Sequence, residues 1–281
     1  MLAPDPAARQ PLLRLAGVHT HIGQYHILQG ADLQVARGEL AVLLGRNGAG
    51  KTTTLRTIMG LWRASSGSIH FDGHDITQLA TPAIARAGIA YVPENMAVFS
   101  ALTVRENLVL AARDGPPDAA RVDWICGFFP ALRTFWQRPA GTLSGGQKQM
   151  VAIARAMVEP RTLLLVDEPT KGLAPAIVQS LMAAFRELKA QGTTILLVEQ
   201  NVQVVRALGD TASVMDDGRV VHAGPMAVLA GDAALQQRLL GLSLDTQPSE
   251  RPCPSPPLHR RPRFNCRPPV ATSRRCCSCR C

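Results

Sequence analysis

The stretch Gly45-Arg46-Asn47-Gly48-Ala49-Gly50-Lys51-Thr52 constrains this chain more than any other. It satisfies G-x-x-x-x-G-K-[ST] at every defined position. The apolar run LAVLLG (40–45) leads into it, and TTTLRTIMG follows as a helix start. A strand, a glycine-rich turn and a helix in that order form an anion cradle. Glycines let backbone N–H groups close on phosphate oxygens with no Cβ in the way, and the helix N-terminus favours negative charge. Lys51 is expected to reach the β- and γ-phosphates, the Thr52 hydroxyl to ligate Mg²⁺, and Thr53 to join the nucleotide contacts. The plain alternative is a glycine-rich turn with a chance lysine, and the flanking strand and helix argue against it.

The rest of the body has the alternation that such a site needs. IAYVP (89–93), TLLLVD (162–167) and TILLVE (194–199) are apolar throughout, which suits parallel strands covered by helices on both faces. Between the last two, Ile177, Leu181, Phe185 and Leu188 repeat at helical spacing, and Gly192 closes the helix. Strands alternating with helices predict an α/β fold around a parallel sheet. The first 38 residues alternate like antiparallel strand, and SGSIHFDGHDIT (66–77) predicts a hairpin turning at Asp72-Gly73. A small β layer is therefore expected beside the main sheet. Residues 102–138 carry a helical pattern interrupted at DGPPD, and ASVMDDGRVVHAG (212–224) predicts a late hairpin followed by two short helices to Leu242.

Composition narrows the function classes. Hydrophobic residues make up 46 % of the 281, yet no apolar run approaches the roughly 18 residues of a membrane span. The N-terminus lacks the charged start and long apolar stretch of a secretion signal, so a cytosolic protein is expected. The formal charge of +9 is concentrated in residues 243–281, where eight arginines face only Asp245 and Glu250. That segment carries +6 and leaves +3 for residues 1–242, so nucleic acid is not an expected partner. The same segment holds eight prolines and six of the seven cysteines, with no helical period; a disordered Pro/Arg/Cys-rich tail is expected. Three readings of it stand: a non-functional extension, a metal site around Cys276-x-x-Cys279, or an arginine-rich contact with lipid headgroups.

Two more segments complete the phosphate chemistry. LLLVDEP ends an apolar strand in two acids. Asp167 is expected to hold Mg²⁺ through water, and Glu168 to orient or deprotonate the attacking water; a solvated helix cap is the alternative. In LSGGQKQMVAIARAM, Ser144 is a natural N-cap, and Gly145 and Gly146 expose the first N–H groups of a helix ahead of Gln147. This second anion-binding start is redundant unless it meets the γ-phosphate from the other side, from another subunit. Otherwise it is only a capped helix.

GRNGAGKT, LSGGQ and LLLVDEP, in that order, resemble the ATP-binding cassette (ABC) ATPases, the motor subunits of transporters. The resemblance covers about residues 12–242. It implies a P-loop NTPase (RecA-like) core with a parallel sheet, an antiparallel β layer, and a helical signature subdomain over about 95–157. It further implies a head-to-tail dimer with ATP between the loop 45–52 of one subunit and Ser144, Gly145, Gly146 and Gln147 of the other. FDGHDIT, GIAYVPE, LTVRENL, DEPTKGLAP and ILLVEQN are similar to the ATPases of branched-chain amino acid importers and their urea or amide relatives. That implies membrane permeases, a second ATPase subunit and an external substrate-binding protein as partners, and a place on the cytoplasmic face of the membrane. A soluble, non-transport ABC ATPase is the remaining alternative; such proteins commonly carry two cassettes or a coiled-coil insertion, and this chain has one P-loop and no heptads.

Departures from the family pattern are informative. Glu94 stands where a Gln usually contacts Mg²⁺ and water; a carboxylate serves the metal but donates no hydrogen bond when ionised. Ile22 stands where an aromatic residue usually stacks on adenine, so it packs apolar surface against the base, and Tyr25 and His21 remain open as stackers. Gln200 stands where a His usually links the γ-phosphate to Glu168; its amide donates but carries no proton near neutral pH. Glu199 and Asn201 are expected to cap the following helix. Gly172–Pro175 lie where the family crosses the dimer interface, which is also where a plain helix start belongs. Asn95–Thr103 either docks a membrane subunit through Met96, Val98 and Phe99 or packs internally.

Overall fold

The computed structural model describes residues 11–240 apart from Asp114. The predicted tail and its cysteines lie outside the described residues. The chain opens with two long strands, β1 (Pro11–Ile22) and β2 (Tyr25–Ala36), paired antiparallel. Then come β3 (Leu40–Gly45) and helix α1 (Lys51–Ile58), the strand and helix that flank the glycine-rich loop. β4 (Ser66–Phe71) and β5 (His74–Asp75) form the expected hairpin, with Asp72 and Gly73 both at positive φ as its turn requires. The first sheet has the order β2-β1-β4-β5 and is antiparallel throughout.

After the short α2 (Thr81–Arg86), strand β6 (Ile89–Val92) enters the second sheet. A helical segment follows: α3 (Val104–Val109), α4 (Ala119–Phe128), α5 (Ala131–Phe135) and α6 (Gly145–Met157). It forms the whole crossover from β6 to its parallel neighbour β7 (Leu163–Asp167). α7 (Pro175–Ala190) then leads to β8 (Thr194–Val198), α8 (Val202–Leu208) to β9 (Thr211–Asp216), and β10 (Arg219–Pro225), α9 (Met226–Gly231) and α10 (Ala233–Leu240) end the described chain. The second sheet has the order β10-β9-β3-β8-β7-β6. Its four pairings from β9 to β6 are parallel, and β10 closes the β9 hairpin as an antiparallel edge.

The fully apolar strands have the predicted cause: both faces are buried. Leu40, Val42 and Leu44 of β3 join one core with α3–α9, while Ala41 and Leu43 join a second core under the antiparallel sheet with Leu55 and Ile58 of α1. β7 and β8 are buried at every residue. The structure refines two of the expected helical segments. The helical pattern after DGPPD is realised as two helices, α4 and α5, because Pro130 lacks an N–H donor and its ring crowds the preceding turn. In α7 the deep stripe is Val178, Leu181, Met182, Phe185 and Leu188; Ile177 sits half-buried at its edge.

This topology matters because parallel strands end together. The C-terminal ends of β3, β6, β7 and β8 carry the glycine-rich loop, Glu94, Asp167-Glu168 and Glu199-Gln200, so one end of the sheet collects the phosphate loop and the predicted carboxylates.

Candidate nucleotide site

The loop itself is held tightly. At Gly45 (φ 141°) a Cβ would lie 2.3 Å from the Met215 carbonyl, so the strand-to-loop turn leaves room for glycine alone. Lys51 is buried and donates from Nζ to the carbonyls of Gly45 (2.8 Å) and Arg46 (3.0 Å). Burial lowers its pKa, against the opposing pull of Glu168, Asp167 and Glu94. Ala49 is buried beneath the loop and links it to Gly218 beyond β9.

Asp167 is fully buried at the end of β7. Thr52 Oγ1 donates to its Oδ1 at 3.2 Å, and the Tyr91 hydroxyl donates to Oδ2 at 3.3 Å. Burial raises the Asp167 pKa, and those two hydrogen bonds pull it back. Desolvation, with the Asp167 charge second, pushes Tyr91 up to about 12. Tyr91 was legible only as a strand residue: nothing in IAYVP marks its hydroxyl, which finds a partner only when β6 lies beside β7.

Glu168 occupies the left-handed region (φ 45°), a conformation that costs a non-glycine residue about 1–3 kcal/mol and persists only where neighbours over-determine it. Those neighbours are present. The Glu168 N–H donates to the Val198 carbonyl at 2.8 Å. Its Oε1 accepts from Gln200 Nε2 at 2.5 Å, and the same Nε2 donates to Asn47 Oδ1 at 2.9 Å. Gln200 thus joins the expected catalytic carboxylate to the phosphate loop. Lys171 Nζ lies 3.6 Å from Glu168 Oε2 and 2.6 Å from Glu94 Oε1. Its pKa is raised, chiefly by the Glu94 hydrogen bond.

A cavity of about 380 Å³ opens among Gly48, Gly50, Lys51, Thr52, Thr53, Glu94 and Glu168, with Asn47 and Lys171 at its wall. Ile22 does not line it. That residue pairs with Tyr25 across the β1–β2 turn, and the apolar lining residue is Ile27. Only an apolar residue near the start of β2 hinted at this. Tyr25 is 65 % exposed, so it is not packed into the sheet. His21 stacks on His26 at 4.2 Å and bonds to Ser65.

Glu199 departs from its expected role. It is buried and accepts from the Thr170 N–H and hydroxyl as well as from the N–H groups of Gln200 and Asn201. It therefore clamps the β7 and β8 loops together, while Asn201 alone caps α8, accepting from Gln203 and Val204.

The signature residues stand apart. Ser144 Oγ accepts from the Gln147 N–H (3.3 Å) and Gln147 Oε1 accepts from the Ser144 N–H (2.8 Å), a closed capping box. A Cβ at Gly146 would meet Ile177 at 2.6 Å, whereas one at Gly145 would meet nothing. None of Ser144–Gln147 lines the cavity. In the segment 95–103, Met96 and Val98 pack on the core as the internal-packing reading expects, whereas Phe99 stays exposed beneath the Arg155 guanidinium (4.8 Å). Met96 and Ala97 border a groove of about 350 Å³ that also takes in Ala152 and Arg155 of α6.

The residues fit Mg²⁺. Adjacent hard oxygens on Thr52 and Asp167, one a buried carboxylate, suit a cation that completes its shell with phosphate and water. No cluster of three Asp, Glu, His or Cys among the described residues forms an all-protein cage. No helix among them is long and apolar enough to cross a membrane.

Comparison with known proteins agrees with this geometry. The ABC transporter family model matches residues 28–171. The high-affinity branched-chain amino acid transport ATP-binding protein BraG of Pseudomonas aeruginosa is 39 % identical, over 82 % of this chain and 100 % of its own length. A methionine import ATP-binding protein, MetN of Brucella abortus, is 35 % identical over 79 % of this chain and 62 % of its own length. Among solved structures, the ATP-binding subunit of an ABC transporter superposes with a TM-score of 0.72 at 30 % identity, covering 83 % of this chain and 96 % of that one. A glycine-rich loop, two strand-end acids and a separate capped signature helix, matched along the length of such relatives, mean that this chain belongs to the ABC transporter family, as one of its ATPases.

Proposed function

We propose that this chain is the ATP-hydrolysing subunit of an importer for branched-chain amino acids, working from the cytoplasmic face of the membrane. The observation that carries the hydrolytic half is the Gln200 amide, which spans Asn47 of the loop and Glu168. The loop N–H groups and Lys51 bind the phosphates of ATP. Thr52, Asp167 and Glu94 are the residues that would hold Mg²⁺, which supplies charge neutralisation on the phosphate oxygens when bound. Glu168 takes a proton from the attacking water, whose oxygen bonds to the γ-phosphorus as the bond to ADP breaks. Gln200 orients Glu168 through its amide and does not relay the proton.

Ser144–Gln147 meet the γ-phosphate of a second ATPase subunit, so the dimer closes on two nucleotides and opens after hydrolysis. The groove beside Met96 and Arg155 takes the cytoplasmic segment of a permease and passes that motion on. The amino acid assignment rests on BraG, which this chain spans in full at higher identity than the methionine protein. Co-expression with the permeases and the external binding protein tests it. Phosphate release stimulated by leucine, isoleucine or valine is expected; stimulation by methionine or urea alone would overturn the substrate, and no stimulated release would overturn the transport role.

A further inference from the structure

Lys171 is a charged residue of DEPTK that the mechanism above leaves unused. It follows Glu168 by three residues in the turn between β7 and α7, and its side chain is 65 % exposed. Two carboxylates compete for its ammonium. Glu94 Oε1 holds it at 2.6 Å, and Glu168 Oε2 lies beyond hydrogen-bond reach at 3.6 Å. The oxygens of Glu168 are not equivalent, because Oε1 is already committed to Gln200. Oε2 is the one left to accept a proton from water. An ammonium that closed onto Oε2 would leave the catalytic carboxylate with a donor on each oxygen.

We propose that Lys171 is a mobile counter-ion that Glu94 holds off Glu168, so that Glu94 acts as a positioning residue for the catalytic carboxylate. This rests on the ATPase function proposed above. Glu94 is well placed for such control. It begins the segment in which Met96 (φ 63°) and Ala97 (φ 48°) both occupy the left-handed region. Arg155 of α6 donates to the Ala97 carbonyl at 2.6 Å, which ties this backbone to the signature helix. A displacement of Met96 and Ala97, which border the groove beside α6, moves Glu94 and frees Lys171 to engage Glu168. Occupancy of the groove and the rate of hydrolysis are thereby joined through one lysine.

The test is steady-state phosphate release from MgATP by the full-length chain, with nucleotide affinity measured alongside. Glu94→Gln keeps an oxygen for Mg²⁺ and removes the charge that pairs with Lys171, so it is expected to lower kcat about fivefold, the scale of an exposed ion pair, with KM for ATP little changed. Lys171→Met is expected to turn over at least as fast as the wild type, and the double variant Glu94→Gln/Lys171→Met to match Lys171→Met. Lys171→Arg keeps the cation, so Glu94→Gln/Lys171→Arg is expected to stay slow. A loss in Glu94→Gln that persists in Glu94→Gln/Lys171→Met would overturn the inference, since Glu94 would then act without Lys171. So would a Lys171→Met protein that binds ATP but no longer turns it over. A wild-type chain that binds but never hydrolyses MgATP overturns the ATPase function itself, and the inference with it.

Discussion

The two anion-binding helix starts of this chain, at α1 and at α6, are built to opposite plans. The start of α1 is wired to distant parts of the sequence. Lys51 and Thr52 lie beside Asp167, Glu168 and Glu94, and Asn47 reaches Gln200. The start of α6 satisfies itself: Ser144 and Gln147 bond to each other, and Gly145 faces open space. The first plan gathers the phosphate loop and the strand-end acids within one chain. The second lies away from the cavity, and under the proposed function it is half of a site that a second subunit completes.

This contrast can be broken or sharpened by experiment. The largest effect is expected at the cross-linked site. Glu168→Gln should keep ATP binding and lose turnover by about 1,000-fold, as removal of a general base does; a near wild-type rate of phosphate release would refute the role assigned to Glu168. Gly145→Asp probes the other site. The new side chain has room, so the chain should fold and bind ATP, yet a carboxylate facing a γ-phosphate should cut turnover about 100-fold. ATP-dependent dimers seen by light scattering in this variant would contradict the half-site reading.

Gln200→Ala removes one charge-assisted hydrogen bond and should slow kcat about tenfold while shifting ATP affinity less. An unimpaired kcat would make Gln200 a spectator. The smallest effect concerns stability. Burial raises the Asp167 pKa above its unfolded value, so the folded state binds extra proton and the carboxylate costs stability once pH exceeds the raised value. Asp167→Asn should therefore raise Tm by a few degrees at neutral pH, a gain that fades as acid protonates the wild-type carboxylate. A gain independent of pH between 3 and 7, by thermal denaturation, would show that charge burial is not its origin.

Motifs read along the chain were legible because each is local. G-x-x-x-x-G-K-T, LSGGQ and DE at a strand end need only their own backbone to be recognised, and the apolar runs betray strands buried on both faces. Residues defined by their neighbours were not. Tyr91 gains its hydrogen bond from the pairing of β6 with β7, and Ile27 rather than Ile22 borders the cavity, because Ile22 lies at the hairpin turn. Glu199 clamps two loops instead of capping the helix that follows it, since its partner Thr170 lies on the adjacent strand's loop. The split between α4 and α5 falls at Pro130, inside the predicted helical pattern.

The sequence by itself determined that this is a phosphate-binding α/β ATPase with a second, separate signature helix. The chemistry sits in contiguous residues whose spacing the backbone must satisfy wherever it folds. Only the tertiary structure decided how the acids are shared. Glu94, Glu168 and Lys171 lie on two strand ends brought together by the β6–β7 pairing, and which carboxylate holds the lysine depends on a difference of one ångström that no spacing in the sequence encodes.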